Sequence, residues 1–376
     1  MNDTALRPTR MEVRLDLIRK NYQCVQQLIG TDCQVIAVVK ANAYSLGLVP
    51  VAGALRQAGC GFFAVATPEE ALELRNSDPV SKILLLGAIN RHCVRLLVEN
   101  GITLTCSDAE QAEFLDRLCS GLGKKGVLHV KIDTGLGRTG FLADTAVDFI
   151  GRIDRLENVF LEGIYTHFAT ADEENPEYTR WQFRRFMNIC EKLERKGVSI
   201  PLRHVCNSPA IVNFPEMALD AVRPGNLLYG LLSGYESRNT GTVPCVEVKT
   251  EIVSVRTLPA HSPVGYGLNY VSRGEDRFGI LPIGFYDGFA RFIKKPEVLV
   301  CGKRLPVVGT ICMDQIVIDL HKCPEAKVGD EAVIIGRQGS ETISVRNFAD
   351  KLDTIATQAL ALFGARVPRV YVGARP

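Results

Sequence analysis

No apolar run in this 376-residue chain approaches the ~20 residues that a membrane-spanning helix needs. An excess of one charge is also missing. Lys and Arg number 44 against 42 Asp and Glu, the formal net charge is +2, and no long basic or acidic run occurs. Binding of nucleic acid or of an anionic membrane through bulk charge is thereby excluded as a main activity. The 12 cysteines contain no C-x-x-C pair, which argues against a zinc cage or a disulfide framework and for reduced thiols. The opening stretch MNDTALRPTRMEVRLDL has no apolar core of a secretory leader, so a cytoplasmic location is expected. Neither an internal repeat nor a low-complexity segment stands out.

What is present is an alternation. Strand-like apolar runs occur at 34–40, 62–67, 82–87, 102–106, 127–133, 159–168, 203–208 and 221–225, with helix-like segments between most of them. Thr67-Pro68-Glu69-Glu70 is a helix start with proline at the first position, Ser107-Asp108-Ala109-Glu110 reads as a capping box, and Gly197 can close a long amphipathic helix from Glu177. About eight such units in some 200 residues is the length of a (β/α)8 barrel. The rival is a doubly wound open sheet, whose two fused halves would want a linker that is not visible. After about residue 240, strand-like runs succeed one another, separated by glycine and proline. The expected architecture is an α/β (β/α)8 barrel over 12–238 and a mostly-β domain over 239–376. The N-terminal strand, within about 1–15, is expected to pack with the β domain. A late helix is expected over about Ser344 to Phe363.

In a barrel, functional groups gather at the C-terminal ends of the strands. Those ends carry Lys40 with a small polar loop after it, the run Asp133 to Arg138, then His167, Asn207 with Ser208, and Arg223-Pro224-Gly225-Asn226. Each has a bland reading: a strand-end surface charge, a turn with an ion pair, a satisfied core histidine, a β-turn. Their convergence on one rim outweighs those readings. Gly135 to Gly140 also spells G-x-G-x-x-G, the dinucleotide fingerprint. It is a weak signal here, because it falls mid-chain and contains an arginine.

Eight stretches, AVVKANAYSLG, KIDTGLGRTG, EGIYTHFATAD, HVCNSPA, VRPGNLLYG, PVGYG, LPIGFYDGFAR and VGTICMDQIVIDL, resemble in order the motifs of the alanine racemase family. The resemblance spans about residues 11 to 373. It implies a pyridoxal 5'-phosphate (PLP)-dependent isomerase, a homodimer with shared active sites that supplies D-alanine for cell-wall peptidoglycan. It also implies roles. Lys40 resembles the lysine that holds PLP as a Schiff base and acts as base for the D-enantiomer. Tyr266 resembles the second base, serving the L-enantiomer from the partner subunit. Tyr44, Ser208, Gly225 and Asn226 resemble phosphate-binding positions, with Asn207 beside them. Arg138 resembles the residue that contacts the PLP phenolic oxygen and the substrate carboxylate, and Met313 would bind that carboxylate through its backbone across the dimer. His167 would pack on the cofactor ring and Arg223 would face its nitrogen. Lys131 matches a lysine that is carbamylated in some members.

Three departures bear on the substrate. Ser45-Leu46-Gly47 replaces the usual glycine-histidine-glycine, Phe285 stands where a tyrosine lines the entrance, and Ala365 stands where some members carry a tyrosine. Serine or a broader set of amino acids is the alternative substrate. A PLP barrel decarboxylase, a non-catalytic PLP carrier and a nicotinamide oxidoreductase are the rival functions.

Overall fold

The computed structural model describes residues 6–232 and 234–373. These form two compact units. One comprises Ile18–Ala43 and Gly47–Val243; the other takes the chain up to Leu17, Tyr44–Leu46, and the chain from Pro244 onward.

The first unit is the expected barrel. Its parallel strands are Gln34–Val35 with Ala37–Val38, Phe62–Val65, Lys82–Leu85, Thr103–Cys106, Gly126–Asp133, Val159–Tyr165, Leu202–Asn207 and Ala221–Arg223. The ring closes on the two halves of a single run. Gln34–Val35 pairs with Ala221–Arg223, while Ala37–Val38 pairs with Phe62–Val65. Strands covered on both faces read as continuous apolar runs rather than alternating ones; Phe62, Phe63, Ala64 and Val65 are all buried.

Helices cross between the strands. The helix Pro68–Ser77 starts as its sequence predicts. Thr67 Oγ1 accepts the Glu70 N–H at 3.3 Å, and the Glu70 carboxylate accepts the Thr67 N–H at 3.3 Å. The helix Ala109–Leu122 does not. Its cap is Asp108, whose carboxylate accepts the Gln111 N–H at 2.7 Å, not Ser107 with Glu110. The register differs by one residue because Asp is as good a cap as Ser, while the Gln111 side chain reaches back to accept the Ser107 N–H at 3.4 Å. The long helix Glu177–Arg195 ends two residues before Gly197, which sits at φ 80°.

The second unit is a mostly antiparallel sheet. Its strand order is Ser254–Leu258, Asp276–Leu281, Ile316–Asp319, Lys303–Val308, Glu297–Val300, Glu331–Gln338, Val246–Glu251, Arg10–Arg14, Arg369–Val372. Arg10–Arg14 pairs antiparallel with Val246–Glu251 and parallel with Arg369–Val372. The alternating run at 10–14 buries Met11 and Val13, as period-two patterning requires. The expected helix over 344–363 is two helices instead, Val345–Asp350 and Ala356–Ala361. Asp353 at φ 51° turns the chain between them, a left-handed position that no helix continues through.

Replacing Asp108 by Ala should lower unfolding free energy by about 1 kcal/mol, whereas Ser107→Ala should leave it nearly unchanged. Urea denaturation of both variants distinguishes the observed cap from the one spelled by S-x-x-E.

Candidate functional site

Lys40 stands two residues past the buried strand Ala37–Val38. The segment after it is not a simple polar loop. Ala41, Asn42, Ala43, Tyr44 and Ser45 have φ of 53°, 54°, 50°, 55° and 69°, a left-handed turn made of five non-glycine residues in succession. Each such residue costs roughly 1–2 kcal/mol, so the surroundings must impose the shape. The Ala43 N–H donates to the Val39 carbonyl at 2.8 Å, and the Asn42 N–H to Glu70 Oε1 at 3.1 Å. The Asn42 side-chain oxygen accepts the Leu48 N–H at 2.7 Å. Glu70, a capping residue by its sequence, thus serves the helix start and the turn together. Burial lowers the Lys40 amine below the usual lysine range, the Arg138 charge adds to this, and Glu70 opposes it.

The strand Gly126–Asp133 delivers two further groups. The Asp133 carboxylate is taken up by the backbone rather than by an ion pair. Oδ1 accepts the N–H groups of Gly135, Leu136 and Gly137 at 2.9, 2.9 and 3.1 Å, and Oδ2 accepts that of Arg138 at 3.1 Å. Burial raises its pKa, but those four donors outweigh burial and hold it below the carboxylate norm. The glycine run then enters the short strand Phe141–Leu142 rather than a helix, so the dinucleotide geometry is not formed. Gly140 is required by close approach, since a Cβ there would lie 2.7 Å from the Asp133 nitrogen. Lys131 points inward, 5% exposed, and its Nζ donates to Thr139 Oγ1 at 2.6 Å. Burial, then Arg138 and Arg223, pull the Lys131 amine down to about 8.

Arg223 is 4% exposed. Its guanidinium donates to the carbonyls of His204 at 2.7 Å, Thr166 at 2.6 Å and Val205 at 3.1 Å, and to His204 Nδ1 at 2.6 Å. It also lies 3.4 Å from His167 Nδ1 and 5.1 Å from the centroid of the Tyr165 ring. No carboxylate is among its partners in the described residues. Burial lowers its pKa to about 10. A donor at His204 Nδ1 fixes the tautomers beyond it. His204 Nε2–H must donate to His129 Nδ1, at 2.8 Å, and His129 Nε2–H to Glu162 Oε2, at 3.1 Å. Lys82 closes the line on Glu162 at 2.6 Å. The His129 hydrogen bond, with Lys82, lowers the Glu162 carboxyl to about 2. Burial holds His204 well below the usual histidine range. Burial does the same to His167, and the charges of Arg223, Arg138, Lys131 and Lys40 add to it.

The seventh and eighth strand ends meet at Ser208, whose Oγ accepts the N–H groups of Gly225 at 2.8 Å and Leu227 at 3.2 Å. Asn207 caps the helix Ser208–Asn213 by accepting the Ala210 N–H at 3.1 Å, and Asn226 opens the turn Asn226–Tyr229. Burial pushes the Tyr44 hydroxyl up to about 12, so it stays a donor at neutral pH.

The barrel therefore brings Lys40, Lys131, Arg138, His167 and Arg223 within electrostatic reach of one another. Tyr266 and Met313 belong to the β unit, 69% and 51% exposed. There the Tyr266 carbonyl accepts the Thr310 hydroxyl at 2.7 Å, and the Met313 carbonyl accepts the Tyr286 N–H at 3.1 Å. Sequence reasoning misses His129, His204, Glu162 and the second role of Glu70. The runs VLHVKID, VFLEGIY and RHVCNS contain the first three, and charged or imidazole side chains inside apolar strands are the available signal.

A (β/α)8 barrel with a lysine, a histidine and two arginines on its rim, in a chain that also carries a mostly antiparallel sheet unit, defines the class of two-unit barrel proteins with a cationic rim. The alanine racemase N-terminal domain family matches residues 13–233 and the C-terminal domain family residues 245–371. The chain belongs to the alanine racemase family. It is 39% identical over 368 residues to the alanine racemase of Methanococcus maripaludis, covering 97% of this chain and 99% of that one. It is 40% identical over 373 residues to alanine racemase 2 of Caldanaerobacter subterraneus, covering 98% and 95%. Among solved structures, the alanine racemase of Clostridium difficile matches with a TM-score of 0.94 at 36% identity, over 98% of this chain and 97% of that one. A complex of that enzyme with cycloserine matches at 0.90 and 35%, over 97% and 95%. The resemblance carried by eight motifs is borne out over the whole chain, as is the barrel-plus-β fold class.

Asp133→Ala should cost roughly 1–2 kcal/mol, allowing for solvent screening of a partly exposed carboxylate. The lost contribution is present above the unfolded-state pKa of about 4 and disappears as pH falls through the lower folded value. The stability gap between wild type and variant should therefore narrow in acid, which denaturation at a series of pH values would register.

Proposed function

We propose that the protein interconverts L-alanine and D-alanine with PLP, using Lys40 as base on the D-face and Tyr266 of the partner subunit on the L-face. One observation carries this. Lys40, Lys131, Arg138 and Arg223 converge on one barrel rim, while the neighbouring carboxylates of Asp133 and Glu70 are occupied by backbone N–H groups. Such a site calls for an anionic ligand, and a phosphate, a phenolic oxygen and a substrate carboxylate supply that charge.

The residues fit PLP. Lys40 offers an amine whose lowered pKa favours the neutral, nucleophilic form. Ser208, Tyr44, Gly225 and Asn226, with Asn207, would hold the phosphate; the Ser208 hydroxyl accepts from two backbone N–H groups and keeps its own proton to donate. His167, held neutral, would lie against the ring, and Arg138 would bind the phenolic oxygen and the substrate carboxylate. When bound, PLP withdraws electron density from the substrate Cα.

The chain's own work is proton placement. Lys40 takes or gives the Cα proton on one face, and Tyr266 of the partner subunit on the other. Met313 of the partner subunit steadies the substrate carboxylate. Arg223 can only donate to the ring nitrogen, and its line through His204 and His129 to Glu162 keeps every proton pointing the same way. Arg223 would thus leave the ring nitrogen with no proton to take from the protein, which would moderate electron withdrawal and restrain transamination. Lys131, an amine near 8 between two guanidinium groups, is suited to carbamylation. Its nitrogen would add to carbon dioxide and lose one proton, placing a negative charge beside Arg138.

We assign the cofactor site to the barrel, 12–238, and the partner-facing residues to 239–376. A homodimer is supported by the exposed apolar side chains of the β unit, which include Leu268, Tyr286 and Phe292 beside Tyr266 and Met313. No helix of the described residues is long and apolar enough to cross a membrane. A cytoplasmic enzyme supplying D-alanine to the cell wall is the role we propose.

The test is chiral chromatography of the PLP-loaded protein offered L-alanine, L-serine and other L-amino acids separately in deuterated water. D-alanine carrying deuterium at Cα is expected, with L-serine slower. D-serine formed faster would reassign the substrate, and carbon dioxide without any D-product would overturn the racemase reading in favour of a decarboxylase. Arg223→Glu should lower racemisation by at least tenfold and raise keto-acid release; unchanged keto-acid release would refute the role given to Arg223. With 13C-bicarbonate, wild type should show a carbamate resonance that Lys131→Arg lacks.

A further inference from the structure

The 12 cysteines are free, and two of them lie on segments that are held together in the β unit. Cys301 is exposed and lies in the tight turn between the paired strands Glu297–Val300 and Lys303–Val308. Cys323 is buried, just past the strand Ile316–Asp319. Cys301 and Glu325 lie near enough to the Cys323 thiol to raise its pKa. Two further contacts seat the turn over the segment that carries Cys323. The Cys301 thiol donates to Asp330 Oδ2 at 3.9 Å, and Lys303 Nζ pairs with Glu325 Oε1 at 2.9 Å.

The turn itself gives no reason for a cysteine. Cys301 and Gly302 have φ of 49° and 72°, the pair of left-handed positions that favours Asn-Gly or Asp-Gly. A thiol has no local hydrogen-bonding advantage there. Nor are the two thiols part of a metal cage, since no group of three or more His, Cys, Asp or Glu side chains among the described residues could hold an ion.

We propose that Cys301 and Cys323 form a reversible disulfide by exchange with a low-molecular-weight disulfide. Exposure makes Cys301 the attacking group. Its thiolate, having released a proton to solvent, attacks one sulfur of the small disulfide. That S–S bond breaks, a mixed disulfide forms on Cys301, and one small thiolate leaves and takes up a proton. Cys323 then loses its proton and attacks the Cys301 sulfur. The second small thiol leaves, and the protein disulfide remains. Two protein thiols are oxidised and one small disulfide is reduced to two thiols. Burial pushes Cys323 up to about 12, and its neighbours Cys301 and Glu325 add to this.

The bond would tie together the outer ends of two neighbouring strands. Lys303–Val308 and Ile316–Asp319 pair through Val307 with Ile318 and Val308 with Val317. Their inner ends are joined by the segment carrying Thr310 and Met313, and Thr310 holds the Tyr266 carbonyl. Oxidation would therefore staple the base of the hairpin that presents these residues. The chemistry does not depend on the racemase assignment.

The test uses the intact PLP-loaded protein in buffers of stepped oxidised-to-reduced glutathione ratio, with alkylation, digestion and mass spectrometry after each. Expected is a peptide pair joined through Cys301 and Cys323 that rises with the ratio and is lost on reduction. Cys323→Ser should instead accumulate glutathione on Cys301, and Cys301→Ser should leave Cys323 unmodified. Glutathione retained on Cys301 in the wild type with Cys323 reduced, or no joined pair at any ratio, would overturn the proposal.

Discussion

A guanidinium buried inside a barrel without a carboxylate beside it dictates much of what surrounds it. Arg223 must satisfy its donors without a counter-ion, and it does so with three backbone carbonyls and one imidazole nitrogen. A buried charge that lost these partners would be severely destabilising. The sixth, seventh and eighth strands are therefore held in the register that aims their carbonyls at one point. Tyr165 is part of the same arrangement. Its ring stacks on His204 at 4.8 Å, and its hydroxyl pairs with Thr105 at 2.9 Å on a more distant strand. The imidazole line ends at Glu162, where the carboxylate is partly solvated and paired with Lys82. The Glu162 charge is thus spent on Lys82 and His129, and the two carboxylates nearer the rim, Asp133 and Glu70, are held by backbone N–H groups.

Much of this is legible in the sequence, and the parts that are not have physical causes. The βα rhythm shows because strands buried on both faces must be apolar throughout. Lys40, Arg138 and Arg223 stand out because a charge at the end of such a strand needs a reason. The features that escape depend on partners far away in the chain. His129 and His204 meet across 75 positions, and Glu70 reaches Asn42 across 28; no local pattern encodes either contact. The capping register at Asp108 escapes for the opposite reason, since two overlapping local signals compete. The late helix reads as one because nothing in its composition marks Asp353 as a left-handed residue.

The strand Arg10–Arg14 places a constraint of another kind on the molecule. It is made first, yet both of its sheet partners, Val246–Glu251 and Arg369–Val372, come from the far end of the chain. The β unit cannot complete its sheet until the whole barrel has been synthesised. Contacts of such sequence separation slow folding and leave strand edges open in the interval. The five residues of this strand alternate charged with apolar side chains, and the charged ones help keep an unpaired strand from self-association.

The left-handed turn after Lys40 has a thermal consequence. Ala41 to Ser45 occupy a conformation of the wrong hand for an L-amino-acid chain, held there by hydrogen bonds that include those to Glu70, Val39 and Leu48 and the one that Arg369 donates to the Ser45 carbonyl at 2.9 Å. The segment behaves like a sprung clasp. When warming loosens those hydrogen bonds, local relaxation is downhill, whereas opening the barrel strands is uphill. The lysine side chain would thus lose its fixed aim well before the protein melts, and the temperature limit on function would be set by one turn of backbone, not by the core.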